Sequence, residues 1–134
     1  MRKDIHRNPR YFFAVFGEPS AKKPAVESGR YLHKGYISHL PITAGDVMLL
    51  YCTSGYRKHI MEAPGVGIVV GTTEECVYYQ YFPLDRPVGR QTIKESLKTY
   101  ENRLRVPSSK GNWLFQIDNG SFSNALKGTQ IAWP

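Results

Sequence analysis

The sequence predicts an α+β fold, a small mixed barrel of strands with one clear helix. Two observations carry this. Apolar runs of strand length recur between Gly and Pro breaks, and only one segment shows a helical period. The order expected is a strand, a short helical turn, three strands, the helix and a further strand. Closing such strands into a barrel removes open sheet edges and leaves binding surfaces at the mouth.

The first strand is Tyr11 to Phe16, YFFAVF, closed by Gly17 and Pro19. Residues 17–30 hold two glycines and two prolines and leave room for one short helical turn near Ala25–Ser28. Arg30 to Leu40 alternates loosely. Pro41 to Asp46, PITAGD, is a turn into the strand Val47–Thr53, whose expected partner is Gly65–Gly71, GVGIVVG. Glycines inside a strand mark a close approach by a neighbour. Cys76 to Phe82, CVYYQYF, alternates as a third long strand, and Pro83, Pro87 and Gly89 are expected to break it.

The helix begins near Thr92, where Thr92-Ile93-Lys94-Glu95 fits a capping box. Ile93, Leu97, Tyr100 and Leu104 recur at helical spacing, and Pro107 ends the pattern. Trp113 to Asp118, WLFQID, is another strand, followed by an Asp-Asn-Gly turn at 118–120. The last residues, TQIAWP, offer a final short strand.

At 134 residues the chain is one domain by length, read as a basic arm over 1–10 and a single domain over 11–134. Its formal charge of +7 favours a polyanion, nucleic acid being the commonest. Residues 1–67 carry ten Lys or Arg against five acids, whereas 68–134 carry eight against six. Cys52 and Cys76 fall in apolar runs outside any ligand pattern and read as reduced core thiols of a cytoplasmic protein. No apolar run approaches the roughly 18 residues of a membrane helix.

Catalytic patterns are weak. The four histidines show no metal spacing, and Ser54 in TSGY lacks the glycine that precedes the serine of a nucleophile elbow. The glycines of GVGIVVG stand in the wrong order for a dinucleotide site. No catalytic residue, metal or cofactor is expected. Binding chemistry is better represented. Tyr56, Arg57, Lys58 and His59 join a ring to cations within four residues, and Tyr31, Lys34 and Tyr36 repeat the combination. A ring stacks on a base for about 1–3 kcal/mol while Arg and Lys hold the backbone. A solvated basic loop and rings that merely cover a barrel end are the plain alternative.

RYFFAVF at 10–16, GRY at 29–31, AGD at 44–46, VMLLYCT at 47–53 and GVGIVVG at 65–71 together resemble the EVE domain. That family is PUA-like and related to the YTH readers of methylated adenine. The resemblance covers roughly residues 10–82. It implies a PUA-like mixed β-pseudobarrel of about five or six strands that binds RNA or DNA and accepts a flipped or modified base in an aromatic pocket.

It also implies site residues. Gly29-Arg30-Tyr31 falls about where the family has Gly-x-Trp, with Tyr in place of Trp. Phe16-Gly17 stands where a polar pocket residue is usual, so Ser20 is the remaining source of that group. Thr53 and Ser54 match the pocket floor, and Tyr56 and His59 match a second wall. Stacking then falls to Tyr31 and Tyr56, and phosphate contacts to Arg30, Lys34, Arg57 and Lys58. The reading is a non-catalytic nucleic-acid-binding module. Its rivals are a small hydrolase of nucleoside-like substrates on a related ASCH-type barrel and a protein-interaction module.

Overall fold

The computed structural model describes residues 8–16, 25–32, 40–53, 61–101 and 113–131. Among these, six strands form one sheet: β1 (Tyr11–Phe16), β2 (Arg30–Leu32), β3 (Val47–Cys52), β4 (Glu62–Thr72), β5 (Cys76–Gly89) and β6 (Trp113–Ile117). Two seven-residue helices accompany it, α1 (Arg90–Ser96) and α2 (Asn119–Ala125). The order across the sheet is β2-β5-β4-β3-β1-β6. β1 and β3 are parallel and every other pair is antiparallel, so the α+β class holds, with a mixed sheet.

Alternation along the strands sorts the core into two faces. Phe13 and Val15 of β1, Leu49 and Tyr51 of β3 and Phe115 and Ile117 of β6 point to one face. There Ile93 of α1, Leu97 at its C-terminal cap, and Phe122 and Ala125 of α2 cover them. The intervening residues, Phe12, Ala14 and Phe16, Met48, Leu50 and Cys52, and Leu114, point to the other. Tyr31 of β2 and Val77 and Tyr79 of β5 join this second cluster.

The sheet is strongly curled. In a flat sheet β2 and β1, four strands apart, would lie roughly 19 Å from each other. Instead the rings of Tyr31 and Phe16 meet edge-on with centroids 4.9 Å apart, and the Tyr31 hydroxyl donates to the Val15 carbonyl at 3.0 Å. The second cluster therefore fills the concave side of a half-barrel, while the helices pack on the convex side.

Two glycines of β4 permit that filling. A Cβ on Gly67 would come within 2.5 Å of the Tyr79 ring, and one on Gly65 within 2.6 Å of the Phe82 carbonyl oxygen and 2.7 Å of the Tyr81 ring. The tyrosines of β5 lie across the gaps left by the missing side chains. The Tyr79 hydroxyl then reaches across to donate to the Val26 carbonyl in the 3₁₀ turn Val26–Ser28.

Three sequence expectations need correction. Pro83 and Pro87 do not end β5, which runs to Gly89. The β4–β5 register shifts between Ala63 and Gly65, beside the Pro83 pairing, and an irregular ladder is where a strand tolerates a residue without an amide hydrogen. The helix starts at Arg90 with Gly89 as its N-cap, so Thr92 lies within the first turn and makes no cap bond; a 3₁₀ turn, Lys98–Tyr100, follows. Leu104 and Pro107 lie outside the described residues. Asp118-Asn119-Gly120 does not reverse the chain but opens α2: Asp118 is its N-cap and accepts from the Ser121 amide at 2.9 Å. The short turn at Val26–Ser28 and the strand at Trp113–Ile117 are where they were expected. Ile131 makes a single antiparallel bridge to Leu84. Among the described residues no helix is long and apolar enough to cross a membrane.

Candidate nucleic-acid interface

The two ends of the half-barrel are built differently. The lower end is where β1 and β3 begin. Here Gly45, at φ +96°, forms a turn closed by the Asp46 amide donating to the Thr43 carbonyl at 3.1 Å. The turn buries Asp46 completely, and its carboxylate accepts from the amides of Arg10 and Thr43, both at 2.9 Å. The Arg10 guanidinium lies 3.9 Å from the same carboxylate and donates to the Pro41 carbonyl at 2.7 Å. One buried carboxylate thus ties the starts of two neighbouring strands.

The upper end is where β1 and β3 finish. Phe16 pairs with Cys52 and Cys52 with Glu62, while Val15 pairs with Trp113, so four strand ends stand side by side. The Thr53 amide donates to the Phe16 carbonyl at 3.2 Å, and its hydroxyl lies 3.4 Å from the same oxygen. That oxygen anchors Thr53 beside the end of β1. Met61, which leads into β4, is held at φ +57°, a left-handed conformation that costs a residue with a side chain about 1–2 kcal/mol. Strain of this kind often sits at functional turns.

The Cys52 thiol is buried and held well above its ordinary range, first by burial and then by the carboxylates of Glu27 and Glu62. A thiol kept protonated is a core group and not a nucleophile. Cys76 is also buried and free, in keeping with the reading of both as reduced core thiols. Burial likewise raises the Tyr51 hydroxyl, opposed in part by the positive charge of Arg90, which follows Gly89, the partner of Glu62 at this end. Among the described residues no group of three His, Cys, Asp or Glu is arranged to hold a metal.

The residues singled out in the sequence fare unequally. Phe16 is buried at the end of β1 and Thr53 is half-buried beside it. Tyr31 is fully buried with its hydroxyl bonded, because its register opposite Val77 turns the ring into the concave core. It has no exposed face on which a base could stack, so it belongs to the wall behind the upper end. Arg30 is exposed on β2 opposite Tyr78, away from that end. Gly17, Ser20, Lys34, Ser54, Tyr56, Arg57, Lys58 and His59 lie outside the described residues, as does Tyr36. Sequence reasoning passed over Asp46 as an anchor, although Gly-Asp directly before a strand is a turn signal with a carboxylate in reach of free amides.

No family model matches the chain, and no curated protein matches it. A crystal structure of a point mutant of ZmASCH from Zymomonas mobilis overlaps it with a TM-score of 0.49 at 13% identity, over 88% of this chain and 96% of that one. The overlap is too slight to carry an assignment, and the fold described above stands on its own strand register.

Proposed function

We propose that the protein is a non-catalytic nucleic-acid-binding module of the EVE or a related PUA-like type, which takes a flipped or modified base at the upper end of the half-barrel. One observation supports this above the others. The segments 17–24 and 54–60 meet the described frame at the upper end, through Phe16 and through Thr53 and Met61, whereas 102–112 leaves it beside Tyr100, near the lower end, and rejoins it at the upper end through Trp113. Those three stretches hold Lys22, Lys23, Arg57, Lys58, Arg103, Arg105 and Lys110 against the single acid Glu18. Lys22, Lys23, Arg57 and Lys58 are thereby attached through the strand ends of the upper end, a concentration of positive charge that suits a phosphate backbone.

In this reading Tyr56 stacks on the base, with His59 as a second wall. Thr53, Ser54 and Ser20 hydrogen-bond the base edge, and Arg57 and Lys58 hold phosphates. Phe16 and Tyr31 back the pocket as packed core. Arg30 and Lys34 lie on β2 and in the segment after it, which leaves the frame at the lower end through Leu32 opposite Cys76. Any contact they make is with a strand that extends beyond the pocket.

The test is binding of labelled single-stranded RNA and DNA oligonucleotides across a salt series. Affinity should fall as salt rises, and Arg57→Ala with Lys58→Ala should reduce the log–log slope by about two, one for each phosphate no longer neutralised. No binding at low salt, or an unchanged slope in the double variant, would overturn the reading.

A further inference from the structure

We propose that the phosphate-binding surface continues from the upper end onto α1 and the 3₁₀ turn after it, along Arg90, Lys94 and Lys98, so that the protein holds a stretch of single strand and not one nucleotide alone. This rests on the reading above and extends it. The observations lie within the described residues. α1 starts at the upper end, since Gly89 pairs with Glu62, and packs inward through Ile93 and, at its C-terminal cap, Leu97. Arg90, Lys94 and Lys98 follow at intervals of four and are all exposed. At helical rise they span about 12 Å from the mouth along the convex side.

Like charges at that spacing repel and destabilise a helix; Arg90 and Lys94 lie in α1, which is only seven residues long, and Lys98 opens the 3₁₀ turn that follows. Among the described residues, none of the three cations forms an ion pair. The acid best placed among them, Glu95, instead accepts from Gln91 at 3.0 Å on the other flank. Glu101 lies past the end of the row. A short helix and the turn after it that keep three such cations in a row leading from the upper end fit an anion that spans several charges. A nucleic-acid backbone does so, whereas a free nucleotide reaches only the first.

The experiment compares two single-stranded oligonucleotides, of about four and about twelve nucleotides, against the whole protein and the variant Lys94→Ala/Lys98→Ala. Both positions are exposed and alanine favours helix, so a matching thermal midpoint shows that the fold is kept. The expected result is a salt slope lower by about two for the long strand and unchanged for the short one. An unchanged slope for the long strand, or an equal fall for both, overturns the inference. If the long strand is unaffected while Arg57→Ala/Lys58→Ala still lowers the slope for the short one, the proposed function stands and only its extension fails. Binding of neither strand by the unaltered protein overturns both.

Discussion

The two ends of the half-barrel use charge in opposite ways. At the lower end carboxylates hold the backbone: Asp46 accepts two amides from separate strand entries, and Asp118 accepts the Ser121 amide and hydroxyl and the Tyr100 hydroxyl. From the upper end onward, Arg90, Lys94 and Lys98 form no ion pair among the described residues, and the segments 17–24 and 54–60 joined there hold four Lys or Arg against one acid. Several acids thus serve the architecture while many cations are left over. The charge of +7 reflects that surplus, and in the proposed reading the upper end is where it meets a partner.

Breaking the lower end should produce the largest effect. Asp46→Ala leaves two part-buried amides without their acceptor and empties a fully buried site, and an unsatisfied donor that stays buried costs about 1–3 kcal/mol. Urea unfolding should register a loss of about 3 kcal/mol, with Asp46→Asn recovering part of it; a change below about 1 kcal/mol would show that Asp46 is not the anchor. Next comes the concave floor. Gly67→Ala drives a methyl into the Tyr79 ring and should destabilise by about 1–3 kcal/mol, again by urea unfolding. A neutral result would mean that Tyr79 moves freely, against its bond to Val26.

Tyr31→Phe sharpens the comparison where the two ends meet. Loss of the bond to the Val15 carbonyl should cost about 1 kcal/mol in stability and leave oligonucleotide affinity unchanged. A large fall in affinity without a loss of stability would return Tyr31 to the binding surface. The smallest effect belongs to Asp118. Its carboxyl is lowered from 3.8 to about 2, chiefly by the Ser121 hydroxyl and amide and then by the Tyr100 hydroxyl. A lowered folded value means that the stabilisation is present above about pH 4 and is lost as the pH falls toward 2. The group is exposed, so the contribution is small. Thermal midpoints of the protein and of Asp118→Asn should differ at pH 5 and converge near pH 2, and a constant gap would contradict the assignment.

Much of the frame was legible in the sequence. YFFAVF, VMLLYC and WLFQI are short apolar runs with clear boundaries, and each is a strand in the sheet. Local signals failed where tertiary pairing outweighed them. Pro83 and Pro87 look like breaks, but an irregular ladder opposite Ala63–Gly65 carries β5 past them. Asp118-Asn119-Gly120 has turn composition, yet Phe122 and Ala125 bury against the convex face and draw the next residues into a helix. The site was less legible. Tyr31 beside Arg30 has the composition of a stacking pair, but composition does not say which face of a curled sheet a ring will meet. Only the register against Val77 and the approach of Phe16 decide that it is core.

The comparison of the two ends is tested most directly by residue-resolved hydrogen exchange with and without a single-stranded oligonucleotide at low salt. Exchange should slow at Thr53 and Glu62 and in the first turn of α1, and stay unchanged in the hairpin Thr73–Glu75 and in α2. Slowing confined to that hairpin or to α2, with the upper end unaffected, would contradict the account.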